Sequence, residues 1–434
     1  MIFSSVPALF AKMNLETYDN LSTLRKEETR KRLDFFYDDQ LDHVYQELEK
    51  SFSEPEKFQL ACLNITKKII KNLAQTYTTP PKRTLDGSDS DKELYQTITE
   101  ECSLDVKMKQ ASRLVKLLKT ILIRPVWRNG KIDLDILTGD IVDVETGDTP
   151  EDLIKVLVTN YGNSNKIDDV TYSYWTKDLY QKLDHRGNIL EESKNPYGVI
   201  PFIPIWDYSP HSDFWLPGGD DLISLQEAVN NKLVDLLHLM RFQSFGVGWI
   251  KGTTGGGFQR LDAGSLVELP ENGELGFESQ QAKITEVLDA IDRLIKWAGL
   301  SNGLSSDFIK QSSTQESGLS KLVSNKELEE LRRDDIELFR KYEKSLFELI
   351  KKIWNTHNTK KLSEACSLAL DFDDGEGVTT PKEQAETWQI LMTLGVASPV
   401  DVVMERNPDL ATREDALAYL MTIKQELTTL QGVY

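Results

Sequence analysis

The side chains able to do chemistry are scattered along this sequence in patterns that no common reaction can use. The five histidines, His43, His185, His211, His238 and His357, form neither His-x-x-x-His nor His-Glu-x-x-His, the helical spacings that bring two imidazoles to one metal. The three cysteines, Cys62, Cys102 and Cys366, lie far apart without metal-ligand spacing. An odd number with no framework fits a reducing compartment and buried thiols. The run Gly252-Thr253-Thr254-Gly255-Gly256-Gly257 invites a phosphate-loop reading but has no Gly-Lys-Ser/Thr after it, so a turn between strands is expected instead. Asp86–Asp91 and Asp371–Gly377 resemble fragments of calcium loops, yet neither has the Asp-x-Asp-x-Asp-Gly order closed by a glutamate. Adjacent carboxylates such as Asp38-Asp39 and Asp334-Asp335 point in different directions on a helix and cannot face each other as acid and base. No Gly-x-Ser-x-Gly elbow offers a serine nucleophile. The expectation is a protein with no catalytic, cofactor or metal site.

Composition narrows the remaining classes. With 434 residues, 39% apolar and 28% charged, the chain can form two or three packed units rather than a disordered polymer. No apolar run approaches the ~20 residues of a spanning helix, so no membrane role is expected. The start, MIFSSVPALFAKMN, lacks a basic n-region and an A-x-A site and reads as an N-terminal arm. The formal net charge of −19 argues against a protein that grips nucleic acid, which needs clustered Lys and Arg to displace counterions. It does not argue against one that lets a duplex slide past, because a carboxylate-lined wall repels phosphates, although on charge alone acidity that merely keeps the protein soluble is the favoured reading.

Periodicity supplies the elements. Residues 15 to 78 and 92 to 119 read as helices on apolar steps of three and four, with Thr79-Pro80-Pro81 between them and Asp86–Asp91 as a polar loop. From 120 the pattern shifts to short β-branched and aromatic runs, Ile121–Trp127, Ile132–Ile136, Ile154–Val158, Val170–Trp175 and Leu179–Leu183, separated by turns such as Asn129-Gly130 and Arg186-Gly187-Asn188. This strand-rich insertion is of antiparallel character and ends in Asn195–Ile205, which its prolines demote to an edge strand. Asp220–Phe242 is a strong helix that Asp220 or Asp221 can cap. A glycine-rich excursion follows, with strand-like pieces at Val247–Ile250 and Ser265–Leu269. A second helix, Ala282–Ala298, has Gly299 as its stop. Residues 301 to 317 are polar and aperiodic, a long helix runs from Gly318 to about Trp354, and a small helical module spans Pro381 to about Leu430. Two helices flanking an excursion can return antiparallel, which on pattern alone is a helical hairpin with a β-tongue.

In its order of parts the chain resembles the portal proteins of tailed phages over roughly residues 25 to 425. Tyr197-Gly198-Val199-Ile200-Pro201-Phe202-Ile203-Pro204 resembles the family's strand before the stem, and Asp221-Leu222-Ile223-Ser224-Leu225-Gln226-Glu227-Ala228-Val229-Asn230 its first stem helix. Ser317-Gly318-Leu319-Ser320-Lys321 resembles the Ser-Gly-x-Ala-x-Lys that opens the long wing helix, with Ser320 in place of alanine. The likeness is to portals of long-tailed phages and leaves a thermophilic phage open as the source.

The resemblance implies an α+β fold, mostly α, with wing, stem, clip and crown assembled as a ring, usually of twelve. It implies an N-terminal arm at 1–24, a wing at 25–219, a first stem helix at 220–243 and a clip at 244–280. A second stem helix at 281–299, a tunnel loop at 300–317, a long wing helix and connection at 318–376 and a crown at 377–434 complete it. Polar or acidic stem positions should face the channel, with Glu227, Asp235, Glu286, Asp289 and Asp292 as candidates. The tunnel loop, through Ser305, Asp307, Phe308, Ile309, Lys310 and Gln311, would narrow the bore, with Phe308 and Ile309 meeting DNA or packing on a neighbour. The implied partners are further copies of itself, the large terminase packaging motor, capsid protein, head-completion or connector proteins, and double-stranded DNA read without sequence specificity. The implied location is the portal vertex of the virion, with assembly in the host cytoplasm. A scaffolding protein with a helical hairpin and a metal-dependent phosphohydrolase are the rival readings.

Overall fold

The computed structural model describes residues 15–162, 167–245, 247–251, 273–278, 284–304, 318–372, 381–407 and 412–431. Among these, the chain divides into two compact units, one of residues up to 315 together with 322–372, the other of 316–321 and 373 onward.

The larger unit opens with helices α1 (Leu15–Phe36), α2 (Leu41–Ser51) and α3 (Ile65–Leu73). The α3 helix buries Ile65, Ile69 and Ile70, and the Asn64 side chain caps it by accepting the Lys67 N–H at 2.8 Å. The acidic run after it is not the expected loop. Residues 82–86 form strand β1, and Ser88 with Asp91 makes a capping box that starts helix α4 (Asp89–Glu101). Carboxylates near a helix N-terminus complement its dipole, which is why an aspartate-rich stretch suits this place. Helix α5 (Leu104–Leu118) follows after Ser103, whose φ of 52° breaks the run.

The strand-rich insertion is antiparallel throughout. Strands β2 (Thr120–Arg128) and β3 (Lys131–Thr138) form a hairpin closed by Asn129 and Gly130, both at positive φ, as a two-residue type I′ turn requires. Strands β4 (Val142–Thr146), β5 (Leu153–Asn160), β6 (Thr171–Trp175), β7 (Leu179–Leu183) and β8 (Ile189–Lys194) form a meander in that order. Strand β9 (Ile203–Trp206) then pairs with β2 on the side away from β3 and is an edge strand, with Pro204 opposite Leu122. The periodicity missed β4 and β8; all six residues of β8 are exposed, so it carries no alternation to detect.

Helix α6 (Asp220–Phe245) begins at Asp220, so neither Asp220 nor Asp221 is its cap; Asp220 instead pairs with Arg32 on α1. Strands β10 (Val247–Lys251) and β11 (Glu274–Glu278) pair antiparallel, and helix α7 (Ile284–Ser301) packs beside α6. The glycine run at 252–257 and the stretch Ser265–Leu269 lie outside the described residues. The α7 stop is not Gly299, which is buried within the helix, but Gly303 at φ 72°. Leu304 N–H reaches Gly299 O at 2.9 Å and Gly303 N–H reaches Leu300 O at 3.1 Å, the two bonds of a Schellman turn, with Leu304 buried.

Helix α8 (Gly318–His357) is 40 residues, about 60 Å at 1.5 Å per residue. Its stripe of Ile336, Phe339, Tyr342, Leu346, Ile350 and Ile353 enters a single core shared with α3, α4, α5 and β2. Strand β12 (Ser367–Asp371) pairs with β1. The smaller unit holds α9 (Pro381–Thr393), α10 (Pro399–Arg406) and α11 (Arg413–Gln431); α10 packs on α11. Among its described residues Val400 and Ala416 are the buried apolar side chains, while Ile390, Leu394, Val396, Leu417 and Met421 are exposed.

Candidate functional site

The chemistry-bearing residues stay apart in space as they do in sequence. His43 pairs with Asp34, His238 stacks on Phe58, His357 stacks on Trp127, His185 lies 3.4 Å from Asp168 and His211 is exposed. Cys102 and Cys366 are buried and Cys62 half-buried, all three as free thiols, and burial pushes the Cys102 thiol up to about 11. No group of three metal-ligating side chains occurs among the described residues, and no described helix is long and apolar enough to cross a membrane.

Most buried carboxylates are already answered by cations. Of the neighbours Asp334 and Asp335, the first is exposed and the second buried, 2.7 Å from Lys116; Lys116 also meets Asp207 at 2.8 Å. Burial pushes Asp335 up to about 6 against the pull of Lys116. Glu343, 2% exposed, accepts two bonds from Arg83, at 2.7 and 2.8 Å, and one from the Tyr77 hydroxyl at 2.6 Å. Asp143 is held by Lys26 at 2.5 Å, Arg25 at 2.6 Å and Ser22 at 2.8 Å, tying α1 to β4. Burial alone would raise the Asp143 carboxyl; the two cations outweigh it and hold it below the usual carboxylate value. Each of these ion pairs ties one element of the larger unit to another.

The distinctive feature is the α6–α7 hairpin and the way it is rooted. Gln226 and Asn230 lie one turn apart on α6 and are 1% and 0% exposed. Gln226 Oε1 accepts the Ile65 and Thr66 N–H groups at 2.8 and 3.0 Å, capping α3 from outside, while its Nε2 donates to Leu63 O at 2.6 Å and Asn230 Oδ1 at 3.0 Å. Asn230 Oδ1 accepts the Leu63 N–H at 3.1 Å, and its Nδ2 donates to Gln40 Oε1 at 2.8 Å. Gln40, itself buried, donates to Phe35 O at 3.0 Å. This chain of amides locks the first helix of the hairpin to the α1–α2 corner and to the start of α3. Sequence reasoning missed it, because a glutamine and an asparagine on an amphipathic helix read as its wet side; the signal available was their i, i+4 spacing within the apolar stripe.

The five acidic candidates of the hairpin are distributed unequally. Glu227 forms an ion pair with Lys31 on α1 at 2.7 Å, and Asp235 with Lys232 at 2.7 Å, so both are countered within the subunit. Glu286, Asp289 and Asp292 are exposed on α7, opposite a buried stripe of Ile291, Ile295 and Ala298. At about 100° per residue they fan over roughly 120° of the helix surface rather than forming one line, and Asp289 points most directly away from the packed side. The tunnel-loop candidates Ser305, Asp307, Phe308, Ile309, Lys310 and Gln311 lie outside the described residues.

The described residues thus form a mixed α+β fold, mostly helical, in which a pair of packed helices is rooted by buried amides. Residues 26–428 match the model of the family described as phage portal protein, SPP1 Gp6-like, and the chain belongs to that family of structural proteins. No curated protein matches the chain. Among solved structures it is similar to chains from the neck of an empty gene transfer agent particle computed with C6 symmetry, at 12% identity and TM-score 0.47, covering 78% of this chain and 87% of that one. It is also similar to chains from the neck of the native particle computed with C12 symmetry, at TM-score 0.43, and from the native virion, at 0.42, each at 12% identity and covering 78% of this chain and 88% of the other.

Proposed function

We propose that the chain assembles into a closed ring, of twelve copies as is usual in its family, that forms the channel for double-stranded DNA at one vertex of a phage head. The observation that carries this reading is the hairpin: two packed helices, rooted by buried amides and bearing exposed charge on α7, are suited to stand as a stave of a channel wall. On this reading 220–243 and 281–299 are the stem, 244–280 the clip, 300–317 the tunnel loop and 377–434 the crown. Residues 25–219 and 318–376 make the wing, and 1–24 an N-terminal arm. Asp289, outermost on α7, faces the bore, and its charge keeps phosphates from sticking while the duplex moves.

ATP hydrolysis belongs to a separate packaging motor, the large terminase, which docks on the ring before head-completion proteins replace it. Capsid protein surrounds it in the virion, and the ring itself assembles in the host cytoplasm. The test is electron microscopy and native mass spectrometry of the purified protein, with rings around a central channel expected. A monodisperse monomer under all conditions would sink the reading, and particles without a channel would favour a scaffolding role. Within the loop, replacing Phe308 and Ile309 with Asp should hinder packaging while rings still assemble. Normal packaging by that variant would remove the loop from the mechanism.

A further inference from the structure

Helix α7 exposes three large apolar side chains, Leu288, Trp297 and, in its last turn on the charged side, Leu300; the first two lie on opposite flanks. Leu288 is 47% and Trp297 57% exposed. They are nine residues apart, about 180° around the helix at 100° per residue, with the buried stripe on one side between them and the charged surface on the other. A helix that only had to pack on α6 would need one apolar stripe. Two flanks facing in opposite directions fit a stave with a neighbour on each side, where the contact is heterologous and the ring closes when the rotation does.

At the level of residues 292 and 293 the charges on those flanks are complementary; the exposed acid Glu286, also on the Trp297 flank, stands about 10 Å nearer the start of the helix. Asp292 lies about 40° around from Leu288, and Arg293 about 40° around from Trp297, so the acid belongs to one flank and the base to the other. They are consecutive residues and stand at nearly the same height on the helix axis. Both are exposed, and among the described residues neither forms an ion pair. The nearest intrahelical alternatives, Asp289 with Arg293 and Asp292 with Lys296, have favourable i, i+4 spacing but are not closed as ion pairs. In a ring with cyclic symmetry the copies are level with one another, so the Asp292 flank of one copy meets the Arg293 flank of the next.

We propose that the occupant of these flanks is a second copy of this chain, and that Asp292 of each subunit pairs with the guanidinium of Arg293 on its neighbour, between the Leu288 and Trp297 contacts, all the way around the ring. This rests on the ring reading above. It also reassigns Asp292 from the channel wall to the seam between staves.

The experiment compares the full-length wild-type chain with Asp292→Arg, Arg293→Asp, the double reversal, and a 1:1 mixture of the two single reversals, all by native mass spectrometry, with circular dichroism to verify the fold. Each single reversal sets like charges at every seam and should lower the ring fraction at least tenfold. The double variant restores an opposite pair at every seam. The mixture restores it only in rings where the two variants alternate, so even-numbered rings of equal composition are expected. Wild-type rings matched in yield by both single variants would overturn the pairing, as would loss of rings that neither the double variant nor the mixture recovers. A wild-type chain that never forms rings would instead overturn the ring reading, and this seam with it.

Discussion

The part of the larger unit outside the α6–α7 hairpin, here its base, and the α7 helix handle charge in opposite ways. In the base, Asp143, Asp335 and Glu343 are buried, and each has a cation within hydrogen-bonding distance in the same chain. On α7, Asp289, Asp292, Arg293 and Lys296 are exposed, and large apolar side chains lie beside them. A buried carboxylate left unpaired costs several kcal/mol, so the base must complete its pairs while the single chain folds. An exposed charge costs nothing to leave waiting. The difference separates what the chain needs in order to fold from what it can leave to water or, at the seam proposed above, to a second copy.

That contrast can be broken most forcefully at Glu343. Replacing it with Ala leaves Arg83 with Asp105 as its remaining carboxylate partner and the buried Tyr77 hydroxyl without its acceptor, and should destabilise the chain by about 3–5 kcal/mol in chemical denaturation. A loss under 1 kcal/mol would mean that the pair is not holding β1 to α8. Next in size, Gln226→Ala leaves the first N–H groups of α3 without an acceptor and should cost about 2–3 kcal/mol. Hydrogen exchange at Ile65 and Thr66 should accelerate with it, and unchanged protection there would show that the amide chain does not root the hairpin.

A smaller effect is expected from pH through Asp143. Its folded carboxyl lies below the ordinary value, so its contribution is fully present above the unfolded value near 4 and is lost as pH falls through the folded one. Wild type should therefore lose more stability than Asp143→Asn on acidification in that window; parallel curves would contradict it. Smallest of all, Asp292→Arg should leave the stability of the isolated subunit within about 0.5 kcal/mol. A larger change would place Asp292 among the residues of the fold and sharpen the boundary differently.

The parts of this molecule that were legible in the sequence are those whose signal is local. The hairpin turn at Asn129-Gly130, the edge strand marked by Pro204 and the helices at 220 and 318 each announce themselves within a dozen residues. The parts that were not legible depend on distant partners. Strand β1 is five residues whose ladder, among the described residues, is with β12, and Asp86–Asp91 read as a loop because Ser88 and Asp91 cap a helix through side chains that periodicity ignores. Gln226 looks like surface until the start of α3 is brought against it. The stem candidates were legible as acidic positions on helices, but not their division: Glu227 and Asp235 are used within the subunit, and α7 carries the exposed ones.

The pairing of β1 with β12 sets a clock on synthesis. Residues 82–86 wait for residues 367–371, on the order of 290 positions later, before their backbone groups find partners. On a ribosome adding roughly 5–20 residues per second, that delay is tens of seconds. The base therefore closes only when α8 has been made and its carboxyl-terminal strand has cleared the exit tunnel. A truncated chain, or one still being translated, leaves β1 without its ladder and the core without Leu368 and Leu370, so the two ends of this unit are proofread against each other by the fold itself.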